Sequence, residues 1–177
     1  MLSSLGEVFL SSGEYEAAIN AMTTCPADFI RMKFLIGTAQ CSRILGFALY
    51  ALSKYNEATD ILTKGRELSV EISDQRGVAL CSHRLGDILR VQGKFTEAFD
   101  TFTKARDLFI SIGDTLGMAN CIQSLGQVYQ AQSHPGKATT MFRDARDLFM
   151  AIGSEDNAEN CSKLIDDPLE GIKDEKL

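Results

Sequence analysis

The sequence is short of the features that mark membrane, secreted and nucleic-acid-binding proteins. None of its apolar runs approaches the roughly 20 residues that cross a bilayer, and no basic segment followed by an apolar one opens the chain. The net charge is −6, and no basic stripe is present that could neutralise phosphates. We therefore predict a cytoplasmic protein with no membrane association and no nucleic-acid partner.

Motifs for catalysis and for metal or cofactor binding are also missing. The two histidines, His83 and His134, have no serine or cysteine in a paired context and no glycine-rich elbow nearby. His83 and Asp87 have the spacing of a surface pair on one helix. A calcium loop of the form Asp-x-Asp-x-Asp-Gly and a glycine-rich phosphate loop are both absent. The sequence predicts no enzyme activity, no cofactor and no metal.

The five cysteines could form a metal site, disulfides or a set of core thiols. No Cys-x-x-Cys pair is present to start a zinc site. Cys41, Cys81, Cys121 and Cys161 are spaced 40 residues apart, which places them on stacked helices about 8–10 Å apart. That separation exceeds the roughly 7 Å between Cα atoms that a disulfide can close. We predict small buried residues that fill gaps between helices.

The dominant feature is a 40-residue period, seen most completely in residues 77–117. Apolar residues within one period have helical spacing, as at Phe95, Phe99 and Phe102. A fixed period of this size indicates a solenoid, in which no unit can bury its own apolar face. The clearest marker is a Leu-Gly pair, which recurs at Leu5-Gly6, Leu45-Gly46, Leu85-Gly86 and Leu125-Gly126.

The period divides the chain into repeats. We predict repeats over residues 1–33, 36–73, 76–113 and 116–153, a capping helix over 154–167 and a flexible tail over 168–177. Pro26 stands where later repeats have arginine, so it should kink or restart its helix. The first helix begins late, which indicates a piece of a longer array or a makeshift cap. We favour the longer array, because natural terminal repeats carry a polar outer face.

Interior glycines need a compensating contact, since glycine inside a helix costs about 1 kcal/mol relative to alanine. We predict that each glycine faces an alanine of the paired helix, so that the two helices approach closely. The predicted partners of Gly46, Gly86 and Gly126 are Ala58, Ala98 and Ala138.

The repeat resembles the tetratricopeptide repeat in its 40-residue variety. The chain is similar to the arrays of kinesin light chains, nephrocystin-like proteins and the sensor regions of fungal nucleotide-switch receptors. This resemblance implies an all-α fold, a right-handed α-solenoid of about four helix-turn-helix repeats and a C-terminal capping helix. The matching residues in repeat three are Leu85, Gly86, Leu89, Gly93, Ala98, Phe102 and Ala105.

The resemblance also implies that the first helix of each repeat lines a concave groove. In repeat three the polar face of this helix carries His83, Asp87 and Arg90, spaced i, i+4 and i+7. Amide side chains on such a face can bond a peptide main chain, and basic ones can hold carboxylates. The candidate partner-binding residues are Arg43, Phe47, Tyr50, His83, Asp87, Arg90, Asn120, Gln123, Gln127, Gln130, Asn160 and Lys163.

These observations support more than one function. The first hypothesis is a scaffold that binds a protein or peptide partner in the groove, as part of a larger signalling or assembly protein. The second is a structural module that forms a homodimer through the exposed face of the N-terminal repeat. An enzyme or small-ligand sensor is disfavoured. A simpler interpretation of the polar face is that it only solvates an exposed surface.

Overall fold

The computed structural model describes residues 35–166, which form helices joined by short turns. The predictions for the first repeat, including the effect of Pro26, and for the tail at 168–177 lie outside the described residues. The prediction of an all-α fold is confirmed, and none of the helices in residues 35–166 is long and apolar enough to span a bilayer. The helices are α1 (Leu35–Ala51), α2 (Tyr55–Glu71), α3 (Gln75–Val91), α4 (Phe95–Ser111), α5 (Thr115–Ala131), α6 (Pro135–Ala151) and α7 (Glu155–Asp166).

Each of the helices α1 to α6 is followed by a residue with left-handed backbone conformation. After α4 this residue is Gly113, with φ of +71°, a region that glycine enters without steric cost. The Asp114 N–H donates to the carbonyl of Phe109 at 2.9 Å, which satisfies a carbonyl of the last turn. The same conformation recurs at Ser53, Ser73, Gly93, Ser133 and Gly153. The turn geometry therefore repeats even where glycine does not.

The chain divides into two compact units, Met1–Ile88 and Leu89–Leu177, here called unit 1 and unit 2. In the described part of unit 1, one buried stripe on each helix supplies a common core. Residues at i, i+3 and i+4 share a helix face, so these stripes follow from the apolar spacing. The core of unit 1 consists of Cys41, Ile44, Leu45, Leu49, Ala58, Leu62, Cys81, Leu85 and Ile88.

In unit 2 the core is built around phenylalanines on the second helices. Phe102 of α4 packs with Leu125 and Val128 of α5. Phe149 of α6 packs with small residues of α5, α6 and α7, namely Ala119, Ala145, Ala158 and Cys161. Large rings meeting small side chains let neighbouring helices interlock.

The predicted pairing of interior glycines with alanines is wrong at Gly46 and Gly126. A Cβ placed on Gly46 would lie 2.5 Å from Cγ of Leu62, and one on Gly126 would lie 2.6 Å from Cε1 of Phe142. Leu62 and Phe142 come four residues after the predicted partners Ala58 and Ala138, on the same helix face. Leucine and phenylalanine side chains are longer than that of alanine. The space beside Gly46 is therefore filled by Leu62, and the space beside Gly126 by Phe142.

The cysteine prediction is confirmed in part. Cys81, Cys121 and Cys161 are fully buried and form no disulfide. Cys41 is disulfide-bonded, contrary to the prediction. The 40-residue spacing argues only against bridges among the four cysteines in register.

The buried thiols are expected to make stability sensitive to alkaline pH. Burial raises the pKa of Cys81 and of Cys161 from 9.0 to about 11. A thiol that ionises less readily when folded stabilises the fold fully below pH 9.0, and this contribution is lost as pH rises towards about 11. The double variant Cys81→Ala/Cys161→Ala should therefore lose less free energy of unfolding across this range than the unchanged chain.

Urea denaturation at a series of pH values measures this difference. Other groups also titrate above pH 9 in both proteins, so the difference between the two curves isolates the thiols. Parallel curves for the two proteins would contradict the assignment.

Candidate partner-binding surface

In unit 1 the predicted surface contains an arginine–aromatic cluster, which we define as Arg43, Phe47, Tyr50, Arg84 and Asp87. The guanidinium carbon of Arg84 lies 5.0 Å from the centre of the Phe47 ring and 5.6 Å from that of Tyr50. The guanidinium carbon of Arg43 lies 5.8 Å from the same Phe47 ring. These distances are within the range of cation–π attraction. The cluster therefore brings two guanidinium groups to one ring.

Asp87 fixes the position of Arg84. Nη1 of Arg84 donates a hydrogen bond to Oδ2 of Asp87 at 2.9 Å. Nδ1 of His83 lies 3.7 Å from the same oxygen. The Asp87 side chain is 7% exposed and that of Arg84 is 36% exposed. A buried carboxylate is tolerated when a cation pairs with it, so the pair combines a buried anchor with a partly open guanidinium.

Sequence reasoning did not include Arg84 in the candidate set. The set was selected at i, i+4 and i+7 from His83, and Arg84 lies one position away from that row. Its spacing from Asp87 is i, i+3, a separation at which helical side chains also meet. The sequence signal that could have identified Arg84 is its position three residues before Asp87 on the mainly apolar helix α3.

In unit 2 the predicted surface is rich in amides. Asn120, Gln123 and Gln127 of α5 are partly buried, and Gln130 is buried. No residue of α5 is charged. Each amide offers both donors and an acceptor. This part of the surface can form hydrogen bonds with neutral groups such as a peptide main chain.

The remaining predicted residues differ in exposure. Arg90, near the end of α3, is partly buried, whereas Asn160 and Lys163 of α7 are exposed. Nζ of Lys163 pairs with Oε1 of Glu159 at 2.9 Å. Within residues 35–166, no group of three or more His, Cys, Asp or Glu side chains is arranged to hold a metal ion. The use of this surface for binding stays a prediction.

The sequence matches a known repeat family over part of its length. Residues 77–151 match the tetratricopeptide repeat family. No curated protein matches the chain by sequence. The matched segment covers nearly all of the predicted repeats three and four.

Solved structures with helical repeats are similar to the chain. One is aspartyl phosphate phosphatase F from Bacillus subtilis, with 12% identity and a TM-score of 0.84 over 98% of this chain and 46% of that chain. Another is the Rap conjugation gene regulator of plasmid pLS20 in complex with the Phr* peptide, with 19% identity and a TM-score of 0.69 over 96% and 52%. The chain thus spans about half the length of both proteins.

A third similar structure is a Podosopora anserina kinesin light chain with nearly identical TPR-like repeats. It has 12% identity and a TM-score of 0.67 over 99% of this chain and 93% of that chain. Identities this low establish a shared fold only. Together with the family match over residues 77–151, they show that the chain has the helical-repeat solenoid fold of tetratricopeptide repeat proteins.

Proposed function

We propose that the chain is a protein-interaction scaffold that binds an extended peptide or a partner helix on the polar face of its first helices. The observation that carries this proposal is the contrast between α5 and its neighbours. Surface helices usually place charged residues on the face turned away from the core. Helix α5 has none, and its polar side chains on that face are amides.

Helices α4 and α6 of the same unit show what a solvated face looks like in this protein. Both carry acids and bases along their exposed sides. If the polar side of α5 served only to contact water, charges would be expected there as well. The charged residues are Glu97, Asp100, Lys104, Arg106 and Asp107 on α4, and Lys137, Arg143, Asp144, Arg146 and Asp147 on α6.

The similar structures support a peptide as the ligand. The Rap regulator of pLS20 has this fold and is bound to the Phr* peptide. The Bacillus subtilis protein is a phosphatase by name, but a shared fold does not carry an activity from one protein to another. We therefore propose a non-enzymatic, cytoplasmic scaffold that acts as part of a larger signalling or assembly protein. The alternative homodimer through the N-terminal repeat involves residues outside the described ones.

A peptide selection tests the proposal. We expect the purified chain to enrich linear peptides from a random display library. Replacing Gln123 and Gln127 by alanine should weaken binding of the enriched peptides by about 5- to 100-fold, because each lost hydrogen bond costs about 0.5–1.5 kcal/mol. Alanine is the best helix former, so both substitutions should leave α5 folded.

The matched control is the double variant Asp100→Ala/Lys104→Ala. These residues have the same i, i+4 spacing and are exposed on α4. The control should bind as the unchanged chain does. Enrichment of no peptide, or an equal loss in both double variants, would contradict peptide binding on the polar face of α5.

A further inference from the structure

We propose that one edge of unit 2 binds a basic amphipathic helix of a partner protein. We define this apolar edge as Ile110, Met150 and Ile152, which lie in or directly after the last turns of α4 and α6. These are the second helices of their repeats, whereas the function proposed above concerns the polar face of the first helices. The two proposals therefore stand independently.

The residues of the apolar edge are open to solvent. Ile110 is 53% exposed, Met150 65% and Ile152 41%. Ile110 and Met150 occupy the same position in successive second helices, and Val70, their counterpart in unit 1, is 62% exposed. Apolar residues scattered singly over a surface are normal, but recurrence at one exposed position of every described second helix is not explained by packing within the core. It indicates contact with a partner.

The exposed residues of α4 and α6 lie at one end of unit 2. Helices α4, α5 and α6 pack in chain order and are joined by short turns, so consecutive helices run antiparallel. The C-terminal ends of α4 and α6 therefore point to the same end of the unit. Packed helices lie about 8–10 Å apart, so one partner helix of about 20 residues, which is about 30 Å long, can cover both ends.

This end of unit 2 is acidic. Residues 104–118 and 144–158, which hold the last turns of α4 and α6 and the first turns of α5 and α7, include six acids and three bases. The other described residues of unit 2, 89–103, 119–143 and 159–166, include four acids and five bases. The negative surplus of the described unit is thus concentrated around the apolar edge.

An acid lies beside each main residue of the edge. Asp107 precedes Ile110 by three residues and Asp147 precedes Met150 by three, a spacing that brings helical side chains together. The two aspartate side chains are 62% and 68% exposed. Each pairs with the arginine before it in the sequence, so the arginines are already matched. The surface combines apolar contact with flanking negative charge.

Charge decides which occupant suits the apolar edge. A second copy would bring another chain with a net charge of −6. Residues 1–34 and residues 167–177 each contain four acids and two bases, so neither segment of this chain complements the edge. Like charges disfavour a partner and opposite charges favour it. An amphipathic helix that places its apolar face on the edge, with lysine or arginine beside that face, satisfies both requirements.

The test uses synthetic helical peptides as probes. The first has about 18 residues of leucine and lysine, with leucine at i, i+3, i+4 and i+7 so that one face is apolar. The second has glutamate in place of lysine, and the third has the composition of the first in an order that gives no apolar face. Fluorescence anisotropy at about 0.15 M salt measures their affinities. We expect the first peptide to bind at least about 10-fold more tightly than the others.

The variant Ile110→Gln/Met150→Gln tests the apolar part of the site. It should weaken binding of the lysine peptide by about 10- to 100-fold, because two side chains lose their apolar contact with the ligand. Both positions are exposed, so the substitutions should leave the fold intact. Circular dichroism checks this point.

The variant Asp107→Asn/Asp147→Asn tests the charged part of the site. It should weaken binding of the lysine peptide by about 3- to 10-fold, as expected for exposed ion pairs. The matched control Glu97→Gln/Asp100→Asn also removes two exposed acids, but from the start of α4. That part of α4 lies about 15–20 Å from Ile110 along the helix, beyond the Debye length. The control should bind as the unchanged chain does.

Similar affinities for the three peptides would overturn the proposal, as would tighter binding of the glutamate peptide. Undiminished binding by Ile110→Gln/Met150→Gln would also overturn it. A dimer that is seen by light scattering and is lost in this variant would assign the edge to a second copy and overturn the basic partner. The variant leaves the polar face of α5 unchanged, so peptides enriched by the selection above should bind it normally. Failure of one proposal therefore leaves the other standing.

Discussion

Replacing Phe149 by alanine is expected to lower the free energy of unfolding by about 3–5 kcal/mol. The ring is fully buried in unit 2. Its neighbours include Ala119, Ala145 and Ala158, which are too short to fill the space that the ring would leave. The cavity should therefore persist and add its cost to the lost burial of the ring.

Met150 provides the matched control, because it follows Phe149 on the same helix and is 65% exposed. Met150→Ala should change the free energy of unfolding by less than about 0.5 kcal/mol. Urea denaturation followed by circular dichroism measures both variants. Similar losses in the two would show that the Phe149 cluster is not the core of this unit.

Replacing Gly117 by alanine is expected to destabilise the fold by about 1–3 kcal/mol, although alanine favours helix. A Cβ at this position would overlap the ring of Phe109, with Cγ and Cε1 only 2.5 Å away. Phe109 is 1% exposed, so its ring cannot move aside without disturbing other buried residues. The steric cost should exceed the gain in helix propensity.

The same substitution at Gly136 should have the opposite sign. No atom lies within 4 Å of a Cβ placed there, and Gly136 is in the first turn of α6. Gly136→Ala should therefore stabilise the protein by up to about 1 kcal/mol. Thermal and urea unfolding of the two variants provide the comparison. A stabilising Gly117→Ala would mean that Phe109 does not pack over α5.

The sequence predicted most residues of the arginine–aromatic cluster but not Arg84, which contacts Phe47, Tyr50 and Asp87. Helical spacing placed Arg43, Phe47 and Tyr50 on one face of α1, and the structure shows them together. Arg84 lies at the edge of the polar row on α3, so its direction depends on where α1 lies beside it. Only the packed helices bring its guanidinium between Phe47, Tyr50 and Asp87.

The contacts of the interior glycines with neighbouring helices were also not predictable from the sequence. The sequence indicates that Gly46 and Gly126 need a close neighbour, because glycine weakens a helix. Which side chain approaches depends on the offset between paired helices, a quantity that no periodicity within one helix contains. The structure brings Leu62 and Phe142 over the glycines, each one turn beyond the predicted alanine.

By itself, the sequence determined the all-α class, the 40-residue period and the apolar stripe of each described helix, because these depend on spacing along one chain. Tertiary structure decided which side chains meet across helices: Phe142 over Gly126, Arg84 against Phe47, and a disulfide at Cys41 rather than a free thiol. Spacing within a helix is a local property that 3.6 residues per turn dictate. Contacts between helices depend on their relative offset and rotation, which arise only when the whole core packs.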